Sequence, residues 1–354
     1  MGIRRCTIGL LAGLAAAPLG AGCQEGPSIE GELERLLQDQ GIPGAAFAVV
    51  RDGGLVYSAQ IGMADLAAGI PVDAKTRFPI GSITKQFTAT ALMILAEEGR
   101  LRIQDRLERW IPEIPPGFAG VTLYQLLTHT SGVPRDFKAG HSLLGRDLFA
   151  ALAEAPPDFP PASGWNYSNT GFILLGEVVS RASGQSLGSF LQERVFGPLA
   201  MSHTTYFEPD TEMSGLAVGY GGEPDAPTPF SFLPARFGAG SIISTAEDLA
   251  RWDAGLTAEV IISKEAQERM WMPVEIDGEP FRFTDSMGYT STVGFGWFAT
   301  EEDGKRLIRH GGSVDGFVGT VERYVDEDTA LIILTNYETA RMAPLAQALR
   351  RHFR

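Results

Sequence analysis

Ser82 and Lys85 stand three residues apart in Pro79-Ile80-Gly81-Ser82-Ile83-Thr84-Lys85-Gln86-Phe87, and a hydroxyl beside an amine can act as a nucleophile beside its base. From Ser82 to Glu98 strong helix formers are interleaved with apolar Phe87, Ala91, Leu92, Ile94 and Leu95, which predicts a core helix ending near Gly99. On such a helix a three-residue step puts both side chains on one face. Gly81 supplies a sharp entry turn, and the positive end of the helix dipole favours the negative charge that develops in acyl transfer. The bland alternative is a helix-capping Ser followed by a solvated Lys, so the chemistry depends on partners elsewhere in the chain.

Three later motifs are candidates for those partners. Tyr167-Ser168-Asn169 ends a Pro/Gly-rich loop, and extended backbone lets Tyr167 and Asn169 point into one space, offering a phenol and an amide. An ordinary helix cap with a buried Tyr is the competing reading. His310-Gly311-Gly312-Ser313 is expected to end a strand, its glycines letting a substrate approach the backbone while the Ser313 N–H points at it. A plain strand-to-turn transition is the alternative there. Leu126-Leu127-Thr128-His129-Thr130-Ser131-Gly132 is less generic, and His129 reads as a structural brace near the cleft. His141, His203 and His352 have no partner pattern. No His-Glu-x-x-His or Cys/His cluster suggests a metal, and Gly238-Ala239-Gly240 lacks the third glycine of a dinucleotide loop. No cofactor is assigned.

The elements that must position these residues are read from periodicity. Ile29 to Gln40 is a helix stopped by Gly41, and Ala45–Val50 with Leu55–Ala59 is a hairpin across Asp52-Gly53-Gly54. From Leu101 to about Phe237, helical segments joined by Pro-rich loops predict an inserted all-α lobe, with candidates at Ile103–Trp110, Val121–Leu127, Ser142–Leu152, Asn169–Ala182 and Leu187–Phe196. Pro209 to Pro234 is expected to be irregular. Ser244-Thr245-Ala246-Glu247-Asp248 reads as a capping box opening another helix, followed by one from Ser263 to about Met270. Strands are expected at Phe295–Ala299, Arg306–His310, Gly316–Val325 and Ala330–Leu334, and a closing helix at Asn336–Arg351. The fold class is therefore α/β of the α+β type: one antiparallel sheet assembled from both ends of the chain and flanked by helices.

With 354 residues and 44% hydrophobic content, the chain can bury a large core. A net charge of -14 leaves no basic footprint for nucleic acid, so a small-molecule or peptide substrate is the expected partner. The first residues differ from the rest. Met1 to Arg5 is basic, Ile8 to Leu19 is apolar, and small residues lead to Cys23, the pattern of an export signal. It resembles a bacterial lipoprotein signal with Cys23 lipidated, which would anchor a periplasmic protein to the membrane; Gly20 stands where that pattern has a branched aliphatic residue. Cleavage by the ordinary signal peptidase nearby is the alternative. Residues 24–28 are then a tether and 29–354 the functional domain. Both cysteines, Cys6 and Cys23, fall in or at the edge of this segment, leaving the domain without a thiol nucleophile or a disulfide.

Ser82-x-x-Lys85, Tyr167-x-Asn169 and His310-Gly311-Gly312 occur in order, with the Leu-Leu-Thr-His stretch and Gly240-Ser-Ile-Ile-Ser-Thr-Ala-Glu-Asp-Leu between them. The set resembles the serine beta-lactamase and penicillin-binding-protein superfamily, within it the class C beta-lactamase-like family that also holds esterases, D,D-carboxypeptidases and D-aminopeptidases. The resemblance spans about Ile29 to Arg354. It implies a beta-lactamase/transpeptidase-like fold, Ser82 as acylated nucleophile, Lys85 as its base and Tyr167 assisting the proton relay. It further implies that Asn169 bonds the substrate's acyl amide and that the N–H groups of Ser82 and Ser313 form an oxyanion hole. His310 and Gly311 replace the Lys and Thr of the family's third motif, as in its esterase and peptidase members. A neutral His offers one N–H and no full charge, so carboxylate recognition is weakened. An exported serine hydrolase acting on esters, amides or D-amino-acid peptides is the leading expectation. A non-catalytic receptor for cell-wall fragments, a true class C-like beta-lactamase and a lipid-anchored structural protein are the rivals.

Overall fold

Val49, Phe47 and Ala45 point to one side of an extended strand, and Val50, Ala48 and Ala46 to the other, and each set enters a different hydrophobic cluster. That strand, β1 (Gly44–Arg51), is the seam of the fold. On one flank it pairs antiparallel with β2 (Gly54–Asp65), and on the other with the last strand, β9 (Thr329–Thr335). The remaining strands are β3 (Ile70–Pro71), β4 (Arg282–Thr284), β5 (Thr290–Val293), β6 (Phe298–Glu302), β7 (Lys305–Val314) and β8 (Phe317–Tyr324). They complete a nine-stranded sheet in the order β4-β5-β6-β7-β8-β9-β1-β2-β3. This is a computed structural model describing residues 28–137, 143–208, 211, 214–230, 237–285 and 288–354. The expected export segment with Cys23, His141 and the start of the expected Ser142 helix lie outside the described residues.

Helices cover both faces of the sheet, which is why β1 is buried along almost its whole length. Helices Ile29–Gln40 and Met342–Phe353 pack Leu33, Leu37, Leu345 and Leu349 on one face against Phe47, Val49, Leu331 and Ile333. The other face carries helices Thr84–Glu97 and Ala246–Thr257, whose Phe87 and Trp252 rings meet at 4.5 Å. Behind them stands Asn169–Ser183, capped by the Ser168 hydroxyl, which accepts from Gly171 N at 2.9 Å. Among the described residues no helix is long and apolar enough to cross a membrane.

Several expectations need correction. The segment between residues 101 and 237 is not purely helical: Thr205–Tyr206 pairs with Ile242–Ser244, which also pairs with Phe78–Pro79. Tyr220–Glu223 and Ala226–Pro229 form a hairpin where irregular structure was expected, its alternation hidden by Gly and by Pro at strand positions. The candidate at Ile103 shrinks to Leu107–Trp110, because Asp105 turns back to accept from Arg102 N at 3.0 Å. The closing helix starts only at Met342, and the strand placed at Phe295 starts at Phe298. The capping box at Thr245 is half made. Thr245 Oγ1 accepts from Asp248 N at 3.1 Å, but the Asp248 carboxylate turns away to His203 N and Thr204 Oγ1.

Candidate active site

Gly81 takes a left-handed φ of 51°, and the chain then makes one 3-10 turn, Gly81–Ile83, before the α-helix begins at Thr84. Ser82 therefore sits in a tight turn rather than in the helix itself, while the step to Lys85 keeps both side chains on one face. Lys85 Nζ lies 3.1 Å from Ser82 Oγ, 2.7 Å from Asn169 Oδ1 and 2.9 Å from the Ala239 carbonyl oxygen. Lys85 is completely buried. The turn is pressed against β7: a Cβ on Gly81 would stand 2.8 Å from Ser313 N, and one on Gly312 would stand 1.9 Å from Ile80 O. Only glycine at 312 allows that approach, and it brings the Ser313 amide beside Ser82.

Asn169 and Tyr167 arrive from the loop before their helix. Asn169 turns its oxygen to Lys85 and its Nδ2 to the Asp136 carboxylate, at 2.9 and 3.2 Å from the two oxygens. Both ends of the amide are thus engaged within the protein, a different arrangement from the expected bond to a substrate amide. The Tyr167 ring lies under Lys85 Nζ, 4.8 Å from its centroid, and Arg135 reaches the same ring at 5.2 Å. His129 holds this loop in place, as the brace reading expects. Its Nδ1 accepts from Ser168 N at 3.0 Å and its carbonyl from Asn166 N at 3.1 Å. Burial, then the Lys85 charge, lowers the His129 pKa well below that of a free imidazole, so the ring is neutral, as an accepting Nδ1 requires.

His310 lies inside β7 rather than at its end, because the strand runs on through Gly311, Gly312 and Ser313 to Val314. The two glycines pair with Thr320 and Gly319 of β8 and so extend the ladder instead of breaking it. Its Nδ1 lies 2.6 Å from the Gly311 carbonyl, which can only accept. The single N–H of the neutral ring is thereby used, and Nε2 is left buried with no hydrogen-bond partner. Burial and the Lys85 charge lower the His310 pKa from 6.5 to about 3. Arg309 faces the other way, paired with Asp285 and stacked on Tyr289 at 4.2 Å.

Ser82, Tyr167, Asn169, His310, Gly311, Gly312 and Ser313 all line one cleft of about 1110 Å³, with Lys85 bonded beneath it. A family profile described as Beta-lactamase matches residues 29–352. The chain belongs to the beta-lactamase family. Among curated relatives of this beta-lactamase-family chain, penicillin-binding protein 4* of Bacillus subtilis is 29% identical over 310 residues, 81% of this chain and 66% of that protein. Protein flp of Staphylococcus aureus strain MW2 is 25% identical over 339 residues, 90% of this chain and 64% of that one. The chain therefore spans a little under two thirds of the length of these relatives. In three dimensions it resembles the penicillin-binding protein from Bacillus halodurans with a TM-score of 0.77 and 26% identity, covering 91% of this chain and 99% of that one. The octameric penicillin-binding protein homologue from Pyrococcus abyssi gives 0.77 and 25%, covering 92% and 77%.

Sequence reasoning missed Asp136 and the Ala239 carbonyl. Asp136 lies just beyond the Leu-Leu-Thr-His motif, where an acidic residue two places after Pro134 carries no signal of its own. Ala239 belongs to Gly238-Ala239-Gly240, whose glycines let Gly238 press on Phe172 O, where a Cβ would come within 2.4 Å. Among the described residues no cluster of His, Cys, Asp and Glu could hold a metal.

Proposed function

We infer that the chain is a serine hydrolase that forms an acyl-enzyme on Ser82, with esters favoured over amides, D-amino-acid peptides and beta-lactams. One observation carries the reading: Lys85 Nζ stands 3.1 Å from Ser82 Oγ and also reaches Asn169 Oδ1 and Ala239 O. Once Lys85 has given up a proton, the neutral amine keeps two N–H donors for oxygens such as Asn169 Oδ1 and Ala239 O and can turn its lone pair to the Ser82 hydroxyl. Ser82 Oγ then attacks the carbonyl carbon, its proton passes to Lys85 Nζ, and the C=O electron pair moves onto oxygen. The amides of Ser82 and Ser313 would receive that oxyanion, a role supported by the close approach of Ser313 N to the Gly81 turn. On collapse the bond to the leaving group breaks and Lys85, with Tyr167 assisting, returns the proton to it. Water repeats the sequence to release the acid. Asn169, held by Asp136, orients Lys85 in this scheme.

An activated fluorophosphonate should add one probe mass to the wild type and none to Ser82→Ala, read by intact-mass spectrometry. Lys85→Ala should lose about two to four decades of turnover. Full turnover in Ser82→Ala sinks the assignment. The names of the Bacillus relatives support a second reading, a receptor acylated by penicillin without turnover, and benzylpenicillin in the same mass experiment separates the two. Export through residues 1–23, with Cys23 as lipid anchor, is part of the proposal.

A further inference from the structure

Four rings run in contact along one wall of the cleft. Trp165 stacks on Phe283 with centroids 4.8 Å and planes 24° apart, backed by Phe281 at 5.1 Å. Phe283 meets Phe298 edge-on at 4.8 Å, and Phe298 lies flat on the His310 imidazole at 4.6 Å. Trp165, Phe283, Phe298 and His310 all line the cleft that contains Ser82. They come from separate parts of the chain: the loop before helix Asn169–Ser183, the edge strand β4 and the adjoining strands β6 and β7. With Val274 and Val293 they make a small apolar cluster distinct from the two main cores.

The polarity of this wall is unusual for a cleft that processes polar bonds. The imidazole is neutral and spends its N–H on Gly311 O. Arg309, which also lines the cleft, has its charge paired with Asp285. The Trp165 indole N–H is buried without a hydrogen-bond partner. The wall thus presents flat apolar surface.

We propose that this wall is a subsite for a neutral aromatic ring, or a flat apolar group of similar size, attached directly beside the scissile carbonyl or its leaving oxygen. The ring stacks against Phe283 and Phe298. Ionised groups there lose hydration against apolar surface and are excluded. The inference rests on Ser82 being the nucleophile.

The test is a pH-stat comparison of ethyl acetate, benzyl acetate and ethyl phenylacetate in the wild type and in Phe283→Ala. Taking wild-type to variant ratios cancels intrinsic reactivity. The preference in kcat/KM for at least one ring-bearing ester over ethyl acetate should fall by about tenfold or more in the variant. An unchanged preference overturns the proposal. Should Phe283→Ala not fold, inhibition of the wild type decides. Benzyl alcohol should compete with ethyl acetate at a concentration about tenfold or more below isobutanol, and equal potency overturns the subsite. Fluorophosphonate labelling reports on Ser82 separately, so a labelled enzyme without ring preference loses only the subsite, and an unlabelled one loses the nucleophile.

Discussion

His310 donates its N–H to the Gly311 carbonyl 2.6 Å away, so the third motif presents a bare acceptor where a Lys would present a cation. A substrate carboxylate gains nothing from that atom. A charged hydrogen bond is worth about 1.5–3 kcal/mol, so its absence lowers kcat/KM for such substrates by about one to two decades. Short-chain nitrophenyl esters should therefore outrun a chromogenic cephalosporin, and His310→Lys should narrow the gap. A wild type faster on the cephalosporin, or a Lys variant no better on it, refutes this account of specificity while leaving Ser82 untouched. The same residue sets an acid limit. Its folded pKa of about 3 lies below the 6.5 of a free imidazole, so between those values the unfolded chain binds the extra proton and stability falls as pH falls. The slope is about 1.4 kcal/mol per pH unit, and His129, shifted the same way, adds to it. Urea unfolding between pH 7 and pH 5 should show a shallower loss for His310→Asn than for the wild type, by about 2 kcal/mol over the range. Parallel curves would mean that His310 is not buried neutral.

At the scale of elements, the site depends on the stretch Pro134-Arg135-Asp136 lying against the N-terminus of helix Asn169–Ser183. The Arg135 carbonyl accepts from Asn169 N and Thr170 N at 3.0 and 3.1 Å, and Pro134 O from the Ser168 hydroxyl at 3.0 Å. Asp136 then fixes which way the Asn169 amide faces. Asp136→Ala should release that amide and lower kcat by about tenfold or more, with a shifted pH profile, while Asp136→Asn keeps an acceptor and recovers most of the rate. Steady-state kcat across pH for both variants is the measurement, and two variants indistinguishable from the wild type would remove Asp136 from the site. Ser82, Lys85, Tyr167 and Asn169 were legible because their chemistry depends on local spacing: i to i+3 from a 3-10 turn into the helix that follows it, i to i+2 in the loop that enters the next. Asp136, Ala239 and Phe283 were not, because each joins the site from a loop or edge strand whose place is set by packing. The His310 motif was legible in kind and wrong in position. Two glycines read as the end of a strand, yet in β7 they allow the backbone to press against Ile80 and stay paired.

At the scale of the whole molecule, the sheet built from both ends of the chain was readable, since an unbroken apolar run marks Ala45–Val50 as clearly as Ala330–Leu334. The strands Thr205–Tyr206 and Tyr220–Pro229 were too short and too rich in Gly and Pro to register. The proposed address is also a whole-molecule property. In a bacterial host, mass spectrometry of the mature N-terminal peptide should show it beginning at Cys23 with acyl chains attached and the protein should partition with membranes, and a soluble form starting later would remove the anchor while keeping export. The pairing of β1 with β9 joins Ala45 to Thr335 and Arg51 to Thr329. During synthesis, therefore, one of the most apolar strands in the chain leaves the ribosome nearly 280 residues ahead of its partner. It cannot be covered on that flank until Thr335 has been made. Such long-range closure is slow, and an unpaired apolar strand is a template for aggregation while it waits. The architecture suits a polypeptide that is kept extended until β9 has been made and closes the sheet afterwards in one event, rather than one that settles from its N-terminus as it grows.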